Sequence, residues 1–535
     1  MPMPPPGAPS APGAPGSPGT AGPAGRAGSP ASGRPSRRRR YLWLAAGTAV
    51  SLFAVHGNWD IPLAAWVYAV FLLRFTRTGG AAAGTAWMVG VASLGLAFWF
   101  WQADVFSPPM LLLAAALALI EAVPFVLDRL AAPRLARRGA LAASLVFPAA
   151  TAATEFLTAS LSPLGTIYGV LGGTQHGNLP LIQIASVTGV YGVSFLVAWF
   201  AAVAAHAWET GWGAPRTRRL VVVYTAVLAL VLSFGGARLG FAPPSSPTVR
   251  VAGVTLAEET WDTRVSAAFT EFDSLEAIVA ADRGRVREVF APIHDELLRA
   301  TEREARAGAR LVVWSESAAH TREEDKGALL EQVAAVAREH RVYVQIGVSV
   351  YIHEKPYMRN QTVLVTPEGE TAWTYDKAHP IPVLEPYDAG SGETPVADTP
   401  FGRLATAICY DVDFPQTLRQ AGAQGAGIVL LPSNEWEGIR KLHAERALFR
   451  AVEGGFSLVR PVNRGQSTAV DHQGRTIATT DYFDTGEQAM VAEVPTAGVT
   501  TVYSRVGDLF SWLCLAGLLV LLALAARSRA RRHGG

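Results

Sequence analysis

Seven apolar stretches crowd the first 240 residues of the chain, and an eighth lies close to its end. They run over 41–55, 61–75, 84–101, 110–127, 140–161, 181–205 and 220–234, and then 509–526. Several approach the roughly 20 residues that a helix needs to cross a bilayer core, while the first two are short. A chain built this way folds as a bundle of membrane helices, with the more polar segment at 248–500 forming a body outside the bilayer. The overall make-up agrees: 50% hydrophobic and only 17% charged, a shift from soluble averages in the direction of membrane proteins.

The connections between the stretches alternate in charge. Arg74 and Arg77, then Arg129, Arg134, Arg137 and Arg138, then Arg216, Arg218 and Arg219 mark every second loop. The loops between them (HGNWD, QADVFS, TIYGVLGGTQHGNLP) carry neither Lys nor Arg. Basic loops stay on the cytoplasmic side, so both termini are expected inside the cell and 250–505 outside it. The final span is followed by Arg527, Arg529, Arg531 and Arg532, which fits a basic cytoplasmic tail at 527–535. At the other end, residues 1–40 read as a disordered basic tail, rich in Pro, Gly, Ala and Ser and too poor in large apolar residues to offset the entropy of ordering. No short apolar core follows its first basic residues, so it is not read as a signal peptide. The Arg37–Arg40 run reads as the flank of the first helix rather than as a nucleic-acid site, because apolar sequence begins at once with Tyr41.

Segment 248–500 alternates β-rich runs (VRVAGV, ARLVVW, VYVQIGVSVYI, QTVLVTP, LATAICY, GIVLLP, FSLVRPV) with helical stretches at 291–307 and 327–340, the pattern of an α/β domain. Pro243, Pro244 and Pro247 stiffen the linker before it. No internal repeat is visible. Only two cysteines occur, Cys409 and Cys514, so no disulfide framework is expected. Cys514 lies inside an apolar run and reads as a small hydrophobe. Cys409 ends the run LATAIC, Glu316 follows ARLVVW, and Lys377 ends AWTYDK. Groups at strand ends of an α/β sheet converge on its functional crevice. Taken singly, each has an ordinary reading as a solvated turn residue or an inert core thiol. Together they supply a nucleophile, a base and a positive charge for its oxyanion.

These residues carry a resemblance. Glu316 in VVWSES, Lys377 in YDKAH and Cys409 in AICYD resemble the Glu–Lys–Cys triad of the nitrilase, or carbon–nitrogen hydrolase, superfamily. The segments LGGTQHGNLPLIQIASVTGVYGVSFL and YSRVGDLFSWLCL resemble a membrane branch of it, the apolipoprotein N-acyltransferase family. That resemblance implies a polytopic helical domain at 41–240 joined to an αββα sandwich at 248–500 and closed by a helix at 508–526. It implies a fatty acyl group passed from a phospholipid to Cys409 as a thioester, and on to the α-amine of a lipoprotein's diacylglyceryl-cysteine. Glu316 is then the general base, and Lys377 with a backbone N–H near Tyr410 stabilises the oxyanion. Trp261, Glu385 and Tyr410 are implied in substrate binding or support, while Glu155, His443 and Arg450 match further family positions. No cofactor, metal, nucleic acid or partner subunit is implied.

The chain also departs from the family. Ser315 stands for Pro, Asp411 for Glu, PIPVLE for LVPFGE, SNEWEG replaces an Asn-Asp-Ala-Trp-Phe stretch, and the interval from Trp261 to Glu316 is long. These changes bear on loops and substrate preference rather than on the triad. A tethered hydrolase using water is the alternative, and a transporter or scaffold with a degenerate domain is a more distant one. There is no HExxH, CxxC, G-x-S-x-G or P-loop to support another chemistry.

Overall fold

The computed structural model describes residues 36–55, 57–167, 169–484 and 489–530. The expected disordered tail therefore lies outside the described residues, except at its end. There the first helix, Arg37–Ser51, begins four residues earlier than expected, with the Ser36 hydroxyl accepting the Arg39 N–H at 3.4 Å. A serine N-cap ahead of an apolar run starts a helix even through four arginines.

Among the described residues, six helices are long and apolar enough to cross a membrane: Ala81–Gln102, Pro108–Leu135, Ala140–Leu161, Val190–Thr210, Pro215–Phe241 and Leu509–Arg527. The two N-terminal helices, Arg37–Ser51 and Pro62–Thr78, have 15 and 17 residues and pack on each other, and the second also packs on Val190–Thr210. One expected span is corrected. The stretch 181–205 is not a single helix: Leu179–Ile182 and Ala185–Thr188 form short turns, and the long helix starts at Val190. Gly189 makes the break, with φ +69° and its Cα so close to the Tyr503 ring that a Cβ would stand 2.7 Å from it. Only glycine takes both at once.

The segment after the linker folds into two stacked sheets. The first runs in the order Ala489–Pro495, Thr248–Val254, Leu311–Trp314, Tyr343–Tyr351, Met358–Val365 and Thr371–Asp376, with Ala319–Arg322 paired beside Tyr343–Tyr351. The second runs Thr476–Asp481, Gln466–Val470, Ser457–Arg460, Ile428–Leu430, Gly402–Thr406 and Val396–Thr399. Both place three parallel strands together and flank them with antiparallel ones. Strands covered on both faces read as unbroken apolar runs, and alternate residues face opposite ways. Leu311 and Val313 thus meet Ile428 and Leu430 between the sheets. Val312 and Trp314 instead face the outer helices Arg283–Arg306 and Glu323–His340. This is the αββα order expected for 248–500.

The other outer layer differs. Helices Pro415–Ala423 and Arg440–Gly454 lie between the second sheet and the membrane bundle. Val429 and Leu458 of the sheet, Leu418, Ala447 and Val452 of the helices, and Leu181, Val190 and Val193 of the bundle form one continuous core. Polar ties reinforce it: Val190 N–H donates to Glu453 Oε1 at 2.7 Å, and Gln183 Nε2 to the Gln473 carbonyl at 2.9 Å. The sandwich is fixed to the bundle through the layer that directly follows Cys409.

Candidate active site

Three strands end in one place. Leu311–Trp314 leads into Glu316, Thr371–Asp376 into Lys377, and Gly402–Thr406 into Cys409. All three side chains are buried. The turn carrying Glu316 is held down by the Ser315 N–H, which donates to the Val254 carbonyl at 2.9 Å. It also presses on Gly347, where a Cβ would stand 2.1 Å from the Ser315 carbonyl oxygen. Cys409 has φ +44°, in the left-handed region that L-residues avoid. Such a conformation costs about 1–3 kcal/mol and persists only where its surroundings enforce it. Its N–H donates to the Pro432 carbonyl at 2.9 Å, and its Sγ lies 3.6 Å from the Asn434 carbonyl.

Glu316 Oε1 accepts from Lys377 Nζ at 2.8 Å and from Asn360 Nδ2 at 2.7 Å, and its Oε2 accepts the Asn434 N–H at 2.8 Å. Lys377 also donates to Glu385 Oε1 at 2.7 Å, and Glu385 Oε2 takes the Ile381 N–H at 2.6 Å. One ammonium is therefore shared by two carboxylates. Burial pushes the Glu316 carboxyl up, and Lys377 only partly offsets it. Burial alone would lower Lys377, but Glu316 above all, then Cys409, Tyr387 and Glu385, outweigh it and keep the amine protonated. Burial, then Glu316, push the Cys409 thiol far above its usual range, against the pull of Lys377 and Arg460. At rest the sulfur is a thiol beside a carboxylate of raised basicity.

Asp411 departs from the family's Glu yet is fully engaged. Its carboxylate accepts from Tyr375 Oη at 2.8 Å, the Ile408 N–H at 2.9 Å and the His379 N–H at 2.8 Å, and lies 3.0 Å from His379 Nδ1. It ties the strand end bearing Lys377 to the one bearing Cys409. Tyr410 turns the other way, and its hydroxyl donates to the Pro163 and Leu164 carbonyls of a membrane-domain loop at 3.2 and 3.0 Å.

Glu316, Lys377, Glu385 and Cys409 are brought together. Trp261 stands apart, half-exposed, with the Arg464 guanidinium 5.5 Å from its ring centre. Glu155 is buried, and its Oε1 accepts the Leu171 N–H at 2.9 Å. His443 and Arg450 are likewise buried rather than on a solvated helix face. Sequence reasoning missed Asn360, Asn434, Tyr387 and Arg460, as well as Asp413 and Glu435. Only Asn434 and Glu435 left a trace, as part of the altered SNEWEG stretch.

Beside Cys409, Glu435 Oε1 contacts both His443 Nδ1 and Arg460 Nη2, while His443 Nε2 lies 2.9 Å from Asp413 Oδ2. Burial lowers Arg460 to about 10, against the opposing charges of Cys409, Asp413 and Glu316. Cys409, Glu435 and His443 are close enough together to hold a metal ion. Yet Arg460 Nη2 also lies 2.9 Å from His443 Nδ1, so a guanidinium stands where a cation would sit.

The sandwich matches the carbon–nitrogen hydrolase class: the profile described as "Carbon-nitrogen hydrolase" covers residues 277–503. A second profile, "Apolipoprotein N-acyltransferase N-terminal domain", matches residues 46–203. An apolipoprotein N-acyltransferase of Geobacter metallireducens is 29% identical over 494 residues, spanning 86% of this chain and 88% of that protein. One from Bradyrhizobium diazoefficiens is 29% identical over 474 residues, spanning 81% and 82%. A solved amidase from Nesterenkonia sp. overlaps 49% of this chain and 94% of its own, with 19% identity and a TM-score of 0.37. The chain belongs to the apolipoprotein N-acyltransferase family, and it is a multi-pass membrane protein.

Proposed function

We propose that the chain is an acyltransferase that moves a fatty acyl group from a phospholipid to the α-amine of a lipoprotein's N-terminal diacylglyceryl-cysteine. Its relatives are named for apolipoprotein N-acylation. The observation that carries the reading is where Cys409 lies: the next residue, Tyr410, is hydrogen-bonded to a loop of the membrane bundle. A nucleophile at that junction meets substrates anchored in lipid, at high effective concentration.

Cys409 attacks the ester carbonyl as Glu316 takes the thiol proton. Lys377 and the Tyr410 N–H stabilise the oxyanion, and the departing lysophospholipid oxygen receives the proton from Glu316. The acceptor amine then attacks the thioester carbon, the amide forms, and the sulfur leaves. Glu385 positions Lys377. The enzyme sits in the cell membrane with both termini cytoplasmic and the sandwich outside, acting as a monomer. A reporter fused at Ser246 is expected to be active only outside the cytoplasm, and activity inside would overturn this orientation.

The chemistry is tested in two stages with purified enzyme. Labelled phospholipid alone should place its acyl group on the peptide containing Cys409, as read by mass spectrometry. A diacylglyceryl-cysteine peptide added next should collect that group on its α-amine. Rapid release of free fatty acid without acceptor would point instead to a hydrolase.

A further inference from the structure

An amine acceptor sets a task that water does not. With a pKa near about 8, an α-amine arrives at neutral pH mostly as an ammonium. It must lose one proton before it attacks and another as the amide forms. Glu316 accounts for the second, since the proton it takes from nitrogen is the one the departing Cys409 sulfur needs back. The triad leaves the first without a base.

A second acid–base set stands beside the same sulfur. Cys409 Sγ, a carboxylate oxygen of Glu435 and a ring nitrogen of His443 all lie within 4.8 Å of one another. The Asn434 amide that donates to Glu316 immediately precedes Glu435, so two carboxylates flank one peptide next to the thiol. Glu435 is buried, and Arg460 and His443 both engage its Oε1. Its Oε2 is also buried and has no hydrogen-bond partner among the described residues. A buried carboxylate oxygen left unpaired is costly, and such exceptions call for a reason. His443 continues the chain, with Nε2 2.9 Å from Asp413 Oδ2, and Asp413 Oδ1 accepts the Thr166 hydroxyl of the membrane-domain loop at 2.9 Å.

We propose that Glu435 receives the acceptor's ammonium on Oε2 and takes its first proton there, while His443 and Arg460 hold the carboxylate through Oε1. The N–H bond breaks and an O–H bond forms on Glu435. The freed amine attacks the thioester, and Glu435 gives its proton up to solvent once the product has left. Arg460, bound to Oε1, fixes the carboxylate and leaves Oε2 for the substrate. This rests on the proposed amine-accepting reaction, and it makes Glu435 and His443 residues of the transfer step rather than of acylation.

The test separates the two half-reactions in full-length enzyme held in phospholipid. Rapid-quench mass spectrometry follows thioester formation on Cys409 without acceptor, and then transfer to a diacylglyceryl-cysteine peptide. Glu435→Gln and His443→Gln are expected to slow transfer by about 10²-fold and acylation far less. That deficit should shrink as pH rises above the acceptor amine's own pKa, because the amine then arrives already deprotonated. Glu435→Asp should recover part of the rate. A structural knot would behave differently: equal losses in both half-reactions, or a transfer deficit that does not change with pH, would overturn the proposal. If the wild-type enzyme itself formed no thioester from phospholipid, the proposed function would fall, and the assignment of Glu435 with it.

Discussion

The membrane bundle and the sandwich both bury charges, but they balance them differently. In the bundle Arg77 binds Asp128 through two hydrogen bonds of 2.7 and 2.8 Å, and Arg74 meets Glu209 at 3.1 Å. There two cations meet two carboxylates, for Arg77 also lies 3.5 Å from Glu209 and the charges balance. At the end of the sandwich strands a single ammonium, Lys377, serves both Glu316 and Glu385 beside a thiol. Ions in a dry interior are tolerated when paired and well hydrogen-bonded. The difference teaches that the bundle's balanced charges are fasteners, whereas the uneven balance near Cys409 is the kind that perturbs proton affinities, as the proposed reaction requires.

The strongest way to break that comparison uses the two cysteines. Cys409→Ala should lower acyl transfer at least ~10²-fold in a protein that still folds in the membrane, as should Glu316→Gln and Lys377→Ala. Cys514→Ala, in the last membrane helix, should leave activity unchanged. An active Cys409→Ala enzyme would remove the distinction altogether.

Next in size is the fastener itself. Arg77→Ala leaves Asp128 buried without its partner, a change that typically costs about 3–5 kcal/mol, read as a lower unfolding midpoint in detergent. Replacing both by apolar residues, as Arg77→Met with Asp128→Leu, should recover much of the loss. Loss of thioester formation in a fully folded Asp128→Asn protein would show that bundle charges take part in the chemistry.

Glu453 joins the two regions and sharpens the contrast through pH. Burial raises its carboxyl to about 7, against Arg450 and the Val190 N–H. A folded-state value above the ordinary one favours the protonated form in the native protein. Its contribution to stability is therefore complete at pH below about 4.5 and is lost as pH rises through 7. The unfolding midpoint should show this decline between about pH 5 and 8, and Glu453→Gln should flatten that component. The same slope in the variant would place its origin elsewhere. The smallest effect belongs to Tyr410→Phe, which removes the hydroxyl bonds to Pro163 and Leu164. It should cost about 1 kcal/mol of stability, measured by denaturant titration, and no change would mean that these bonds do not hold the sandwich to the bundle.

Much of this was legible in the chain itself. Apolar runs and alternating arginines marked the spans, because lipid demands uninterrupted apolar helix whatever the neighbours do. Strand runs ending in Glu316, Lys377 and Cys409 marked the candidates, but two of those strands stand apart in the first sheet and the third lies in the second, so only the stacking of the sheets brings their ends together. The two sheets share a strand pattern that no sequence repeat announced, because pairing follows backbone direction and burial rather than residue identity.

What the sequence determined by itself was therefore local and periodic: helix or strand, buried or wetted, reactive or inert by position in a run. Only the tertiary structure decided that His443 and Arg450 point inward, since the face of a helix that is buried depends on what packs against it, and here the bundle covers the side that would otherwise meet water. It also decided that Asp413, Glu435, His443 and Arg460 meet beside Cys409. They come from four segments spread over 48 positions of the chain, and their attraction is set by distance in a dry interior, which no spacing along the chain records.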